Sequence, residues 1–201
     1  MSKILVPLIF VFCNTFGIEA DSISNYLFSK VENNEYEIQS VSLCSDTLKL
    51  LSSSQVLYYP FGRFSSIISF EKSYPEKFVK TVEKCIKSLE VPGQTDTLFR
   101  FSFKESYILA IDIDNTEDYK FKKDEMVITK AKITNKEIKL QNGDSIGIPK
   151  DLLLRYFFTE YKGLNKIKVV ELVRALDGVW IIYTLSNNLV VKIDILTDYK
   201  F

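Results

Sequence analysis

The 201-residue chain contains no histidine. This excludes Ser-His-Asp and Cys-His catalysis, histidine-ligated zinc and a histidine pH switch. Any catalysis would fall to carboxylates, Lys, Tyr, Ser or Cys. Cysteine is scarce, with three in the chain. Cys44 and Cys85 are too few for a disulfide scaffold, although they can pair in an oxidising compartment. With only seven glycines there is no glycine-rich phosphate loop, and Gly143 and Gly147 read as a turn and a helix start. There is no excess charge either, since 26 basic residues balance 26 acidic ones. Nothing in that balance attracts nucleic acid or an anionic membrane. What the chain does have is apolar and aromatic: 46% hydrophobic residues, 15 Phe, 11 Tyr and a single Trp. That composition suits a globular, strand-rich protein.

The first residues read MSKILVPLIFVFCNTFGIEADS. Lys3 precedes the apolar run from Ile4 to Phe12, and small and polar residues lead to Ala20. This is the layout of a secretory signal peptide over 1–20. The run is shorter than the roughly 20 residues of a membrane span. Cys13 just behind it offers a lipid-attachment point as a variant of the same reading. The expected localisation is therefore periplasmic or extracellular, with membrane contact only through the signal or a lipid on Cys13.

Two phrases nearly coincide: IDIDNTEDYKF at 111–121 and IDILTDYKF at 193–201. The likeness extends upstream of both. Residues 97–113 align without a gap on 179–195, so Leu98 meets Trp180, Phe101 meets Tyr183, Phe103 meets Leu185 and Ile108 meets Val190. Each segment is two apolar runs around a polar turn, the pattern of a β-hairpin. TVEKCIKSLE (81–90) matches VVELVRALD (169–177). A turn follows in both copies: the longer VPGQTD (91–96) in the first and Asp177-Gly178 in the second, whose glycine accepts the positive φ of a tight hairpin. Taken alone, Phe78, Val82, Cys85, Ile86 and Leu89 have helical spacing, but the matching segment argues for a strand. Candidate helices precede these strands, in 60–74 and 145–161, the latter with Pro149 and Asp151 at its start and Leu152, Leu153, Tyr156 and Phe157 at helical spacing. The first strands, 36–50 and 126–140, also align.

The sequence thus predicts an α+β fold of two tandem related units, 36–121 and 126–201. Each would run strand, strand, helix, strand, strand, strand, as an antiparallel sheet with one helix packed on a face, and a charged linker, Lys122 to Glu125, would join them. The second unit combines Ile146-Gly147, Lys150-Asp151, Trp180-x-x-Tyr183 and the polar turn Asn187-Asn188. In these it resembles the repeats of the β-lactamase inhibitor protein and of small outer-membrane lipoproteins of the SmpA/OmlA type. The first unit keeps Gly62 and the hairpin but has Leu98 where Trp180 stands. The family's Gly-x-Pro after the helix is replaced by Tyr161-Lys162-Gly163. The resemblance implies a secreted, tandemly duplicated binding or assembly protein without catalysis. It transfers no specific binding residues.

Asp112, Asp114, Asn115, Glu117 and Asp118 form an acidic cluster. It lacks the glycine and the closing bidentate Glu of a calcium loop, so it reads as a solvated strand end. Cys85 has no histidine to activate it, and its match to Val173 suggests a core position. No catalytic residue, metal ligand or cofactor site is expected. The candidate partner-binding residues are Tyr58, Tyr59, Phe61 and Phe64, which cluster around Pro60 in the main insertion of the first unit. They either cover the sheet or anchor a protein or glycan partner. Three functions are weighed. The first is an exported, non-enzymatic binding or envelope-assembly protein whose partner is another protein or an envelope component. The second is a small carboxylate-dependent hydrolase with its site in a groove between the units. The third is a cytosolic structural protein whose N-terminus is a genuine strand.

Overall fold

A computed structural model describes residues 28–30, 36–54, 57, 59–74, 78–87, 95–113, 125–174 and 178–198. The aromatic and β-branched content is spent on one sheet of nine strands. In chain order these are β2 (Ile38–Cys44), β3 (Thr47–Ser52), β4 (Val79–Lys87), β5 (Thr95–Phe103), β6 (Ser106–Ile113), β7 (Glu125–Ile133), β9 (Val169–Arg174), β10 (Val179–Ser186) and β11 (Leu189–Thr197). Across the sheet they lie in the order β2-β3-β9-β10-β11-β7-β6-β5-β4. Every described neighbour pair in it is antiparallel except β3 and β9, which run parallel. A separate two-stranded pair joins β1 (Phe28–Lys30) to β8 (Phe158–Tyr161).

Local chemistry explains the hairpins. The β10–β11 turn is Asn187-Asn188, with φ of 51° and 60°. Asn tolerates this left-handed region, which two-residue hairpin turns require. The β5–β6 turn uses Lys104 at φ 54° and the β2–β3 turn Ser45 at φ 56°. The second repeat also carries a bulge between Thr184 and Leu185. Its hairpin therefore reaches its turn one residue later than that of the first repeat, which the gap-free sequence alignment hides.

The two faces of the sheet differ. One cross-strand row is Val41, Leu50, Leu172, Ile181, Ile195, Ala131, Ile108 and Phe101. It belongs to the main core or packs against it. Helix α1 (Ile67–Ser73) adds Ile67 and Phe70 to that core, and α2 (Lys150–Arg155) adds Leu153 and Leu154. An aromatic group links α1 to the strands: Phe70 stands edge-on to Phe64 at 5.2 Å and to Phe101 at 5.0 Å. The opposite face carries a second row, Leu51, Val173, Trp180, Leu196, Lys130, Leu109 and Arg100. At its β4–β7 end, Ile86, Leu98, Ile111 and Val127 make a small second cluster.

This architecture corrects the expected fold class. The molecule is mainly β, with one mixed sheet rather than two sheets each under a helix. The cause lies in β7, which pairs with β6 on one side and β11 on the other. The two meanders, β4-β5-β6 and β9-β10-β11, share that strand and fuse. The helices have only seven and six residues, too few to form a layer. α1 starts on a capping box, with the Ser66 hydroxyl accepting from the Ser69 N–H and the Ser69 hydroxyl accepting in return from the Ser66 N–H. Its buried residues are Ile67 and Phe70, while Ile68 is 61% exposed. The helix expected across 145–161 is α2 alone. Beyond it the β-prone Phe158-Thr159-Glu160-Tyr161 forms β8, because pairing with β1 outweighs the helical spacing. Residues 79–87 form the strand that the repeat predicted rather than a helix. In the second repeat no second strand follows β7, only a bridge between Lys139 and Ser145.

Candidate functional site

The densest polar chemistry lies where the loop after β7 meets β10. Asp144 is 0% exposed and is the only buried carboxylate among the described residues. Its Oδ2 accepts a hydrogen bond from the Tyr183 hydroxyl at 2.6 Å and another from Asn142 Nδ2 at 2.7 Å. Asn142 Nδ2 also donates to the Tyr36 hydroxyl. The Asp144 N–H donates to Asn142 Oδ1 at 3.0 Å, and the Leu140 N–H donates to the Asp144 carbonyl at 2.8 Å. Between them Gly143 sits at φ 89°, a conformation glycine adopts without strain. Burial, reinforced by the Asp144 carboxylate, pushes the Tyr183 hydroxyl well above its ordinary pKa. Tyr183 therefore stays protonated and donates. Asp144 and Tyr183 are both 0% exposed, and their hydrogen bonds fasten the loop and Tyr36 onto β10.

Both repeats belong to one sheet, so no boundary between two separate sheets divides the described residues. Nor do the described residues contain a group of three or more His, Cys, Asp or Glu side chains placed to hold a metal. The acidic cluster from Asp114 to Asp118 lies outside the described residues. Asp112 falls on β6, where only its backbone is described. Residues 1–20, with Cys13, also lie outside them, as do Asp177 and both copies of the closing Tyr-Lys-Phe.

Of the four aromatic candidates, the structure describes three. Tyr58 lies outside the described residues. Phe61 is 4% exposed and belongs to the main core, so it is no surface anchor. Phe64 is half-buried against Phe70 and Tyr74. Tyr59 is half-buried, with the Arg63 guanidinium 5.3 Å from its ring centre. The segment is tied down through its backbone. The Gly62 N–H closes a turn onto the Tyr59 carbonyl at 2.9 Å, the Pro60 carbonyl accepts from Gln141 at 2.8 Å, and the Phe64 carbonyl accepts from Met126 at 3.0 Å. Phe61 and Phe64 thus plug the core beside α1 and β7.

Cys44 and Cys85 are both free and exposed. They sit on β2 and β4, the two end strands of the sheet, so no disulfide joins them. Cys85 is not in the core, as its match to Val173 had suggested. Among the described residues β4 has one neighbour, whereas β9 lies between β3 and β10.

The positions that carry the family resemblance have separate jobs. Lys150 is 5% exposed, and its Nζ donates to the carbonyls of Leu164 and Asn165 at 3.3 and 3.1 Å. It therefore satisfies the 3-10 turn Leu164–Lys166 from below, while Asp151 is exposed. Gly147, at φ 94°, donates its N–H to Val190 and lays the α2 approach beside β11. Trp180 instead lies on the sheet face opposite the helices, half-buried between Val173 and Leu196. In the next row along are Lys49, Glu171, Ile182, Asp194, Lys132 and Tyr107. Lys49 pairs with Glu171 at 3.5 Å and Lys192 with Asp194 at 2.7 Å. On this face Leu51, Trp180 and Leu196 are half-buried around the buried Val173, with the ion pairs and lysines in the row alongside. The sequence pointed to the insertion around Pro60 rather than to this face. Comparison with protein-family models, with characterised proteins and with solved structures finds no match to this chain.

Proposed function

We propose that this chain is an exported, non-enzymatic binding or envelope-assembly protein that engages a protein or envelope component through the sheet face that neither helix covers. The observation that carries this reading is the row of half-buried Leu51, Trp180 and Leu196 around the buried Val173, on the face that neither helix covers. A half-buried tryptophan between aliphatic neighbours, with Lys130 and Lys132 beside it, suits an interface anchor with a polar rim. Export is supported by the Lys3-led apolar run Ile4 to Phe12 and the small residue Ala20. The resemblance of the second repeat to secreted inhibitor and lipoprotein repeats points the same way.

Two experiments test the reading. Mass spectrometry of the mature protein should find an N-terminus near Asp21 or a lipid-modified Cys13, and an intact Met1 would refute export. Capture from the native envelope fraction should recover a partner with the wild-type chain and lose it with Trp180→Ala. Equal recovery by both proteins would remove this face from consideration.

A further inference from the structure

The two ends of the sheet are built differently. β4 reads VKTVEKCIK and is guarded. Lys80, Lys84 and Lys87 line it, and a bulge between Val82 and Lys84 breaks its register. Natural edge strands use lysines and bulges in this way to refuse further strands. β2 reads IQSVSLC and carries no charge at all. Its only register shift lies between Ile38 and Ser40, so Ser40 to Cys44 form a regular strand against β3. Among the described residues no strand pairs with its outer edge. Gln39, Ser42 and Cys44 are exposed, while Val41 and Leu43 are half-buried at the margin of the core.

We propose that the outer edge of β2 is where a second copy of this chain adds to the sheet, antiparallel, with the two-fold axis at Ser42. That axis sets Val41 against the second copy's Leu43, twice, on the core face. On the other face it sets Ser40 against the second copy's Cys44, twice, and Ser42 against its own counterpart. Every facing pair is neutral, apolar against apolar or small against small, as an isologous contact requires. The cross-sheet core row, which stops half-covered at Val41, then continues into the second copy. Pairing β4 with itself about Val82 would set Lys80 against Lys84, a like-charge cost β2 does not meet. The contact is one strand wide and therefore weak, with a dissociation constant on the order of 10 µM. It uses a different part of the molecule from the Trp180 ridge and stands whether or not that ridge binds anything.

Light scattering on the full chain at rising concentration tests this. The mass should climb from 23.2 kDa toward twice that value. Ser42→Lys, which sets two lysines face to face on the axis, should raise the dissociation constant at least about tenfold. Thr81→Lys on β4 should leave it unchanged. Ser42 is exposed, so the circular dichroism spectrum should stay that of the wild type, and Ser40→Lys repeats the test one pair along. A chain that stays monomeric to about 100 µM overturns the proposal. So does a dimer that survives both β2 variants, which would place the association elsewhere, for instance in the apolar run from Ile4 to Phe12.

Discussion

β4 and β9 hold the same place in the two repeats, each the outer strand of a three-stranded meander, yet their fates diverge. In β9, Val170, Leu172 and Val173 are buried; in β4, Ile86 alone is. Val79 and Val82 on β4 are 68% and 62% exposed. The difference comes from the neighbour. β3 docks parallel along β9 through Leu48, Leu50 and Leu51, whereas no described strand docks along the edge of β4 away from β5. The repeat sets the hairpins, and the company each hairpin keeps sets the value of its side chains.

Phe101 and Tyr183 are the sharpest pair for testing this, since they match in the alignment and are 1% and 0% exposed. Phe101→Ala should cost about 3–5 kcal/mol in urea unfolding through the cavity it leaves. Tyr183→Ala should cost about 1–3 kcal/mol more, because it also strips Asp144 of a donor inside the core. Equal losses would mean that the Asp144 cluster contributes nothing.

The same tyrosine gives a pH signature. Its folded pKa is raised, so the unfolded chain loses this proton first. Stability from this group is full below about pH 10 and declines as pH rises beyond that. Tyr183→Phe should flatten that alkaline decline, and an unchanged slope would show that Tyr183 is not its source.

A smaller contrast separates Val173 from Cys85. Val173→Ala should cost about 1–2 kcal/mol, and Cys85→Ala no more than about 0.5 kcal/mol. Both Cys44 and Cys85 should also react with a thiol reagent in the folded protein. The smallest effect belongs to the ion pair of Lys80 with Glu71, at 2.8 Å and with both side chains 36% exposed. Lys80→Ala should change stability by less than about 1 kcal/mol, and less again in high salt.

Local rules were legible in the sequence because their causes are local. Asn187-Asn188 accepts the left-handed backbone of a tight turn, and two runs of alternating apolar residues flank it. The strand at 79–87 was legible only through its partner segment. The merger of the repeats was not, because the sequence does not say that the outer edges of β6 and β11 would both choose β7. The helices were overread because Leu152 to Phe157 keep helical spacing until β1 recruits the next four residues. The Asp144 cluster left one trace, a tyrosine on a strand face that is otherwise aliphatic, whose hydroxyl needed a partner. The Phe61 plug left none, since a buried and an exposed aromatic look alike beside a proline.

The parallel contact between β3 and β9 also governs when the molecule can form. Leu48 meets Val170 and Leu50 meets Leu172 across more than half the chain. The N-terminal hairpin thus has no place to rest until nearly all of the polypeptide is available. Closing so long a loop is slow, and in the meantime it leaves unpaired the edge of β3 that β9 will cover. A chain that emerges N-terminus first would carry that edge of β3 unpaired until the last repeat arrives, which makes the order of emergence, and not only the final contacts, a determinant of its yield.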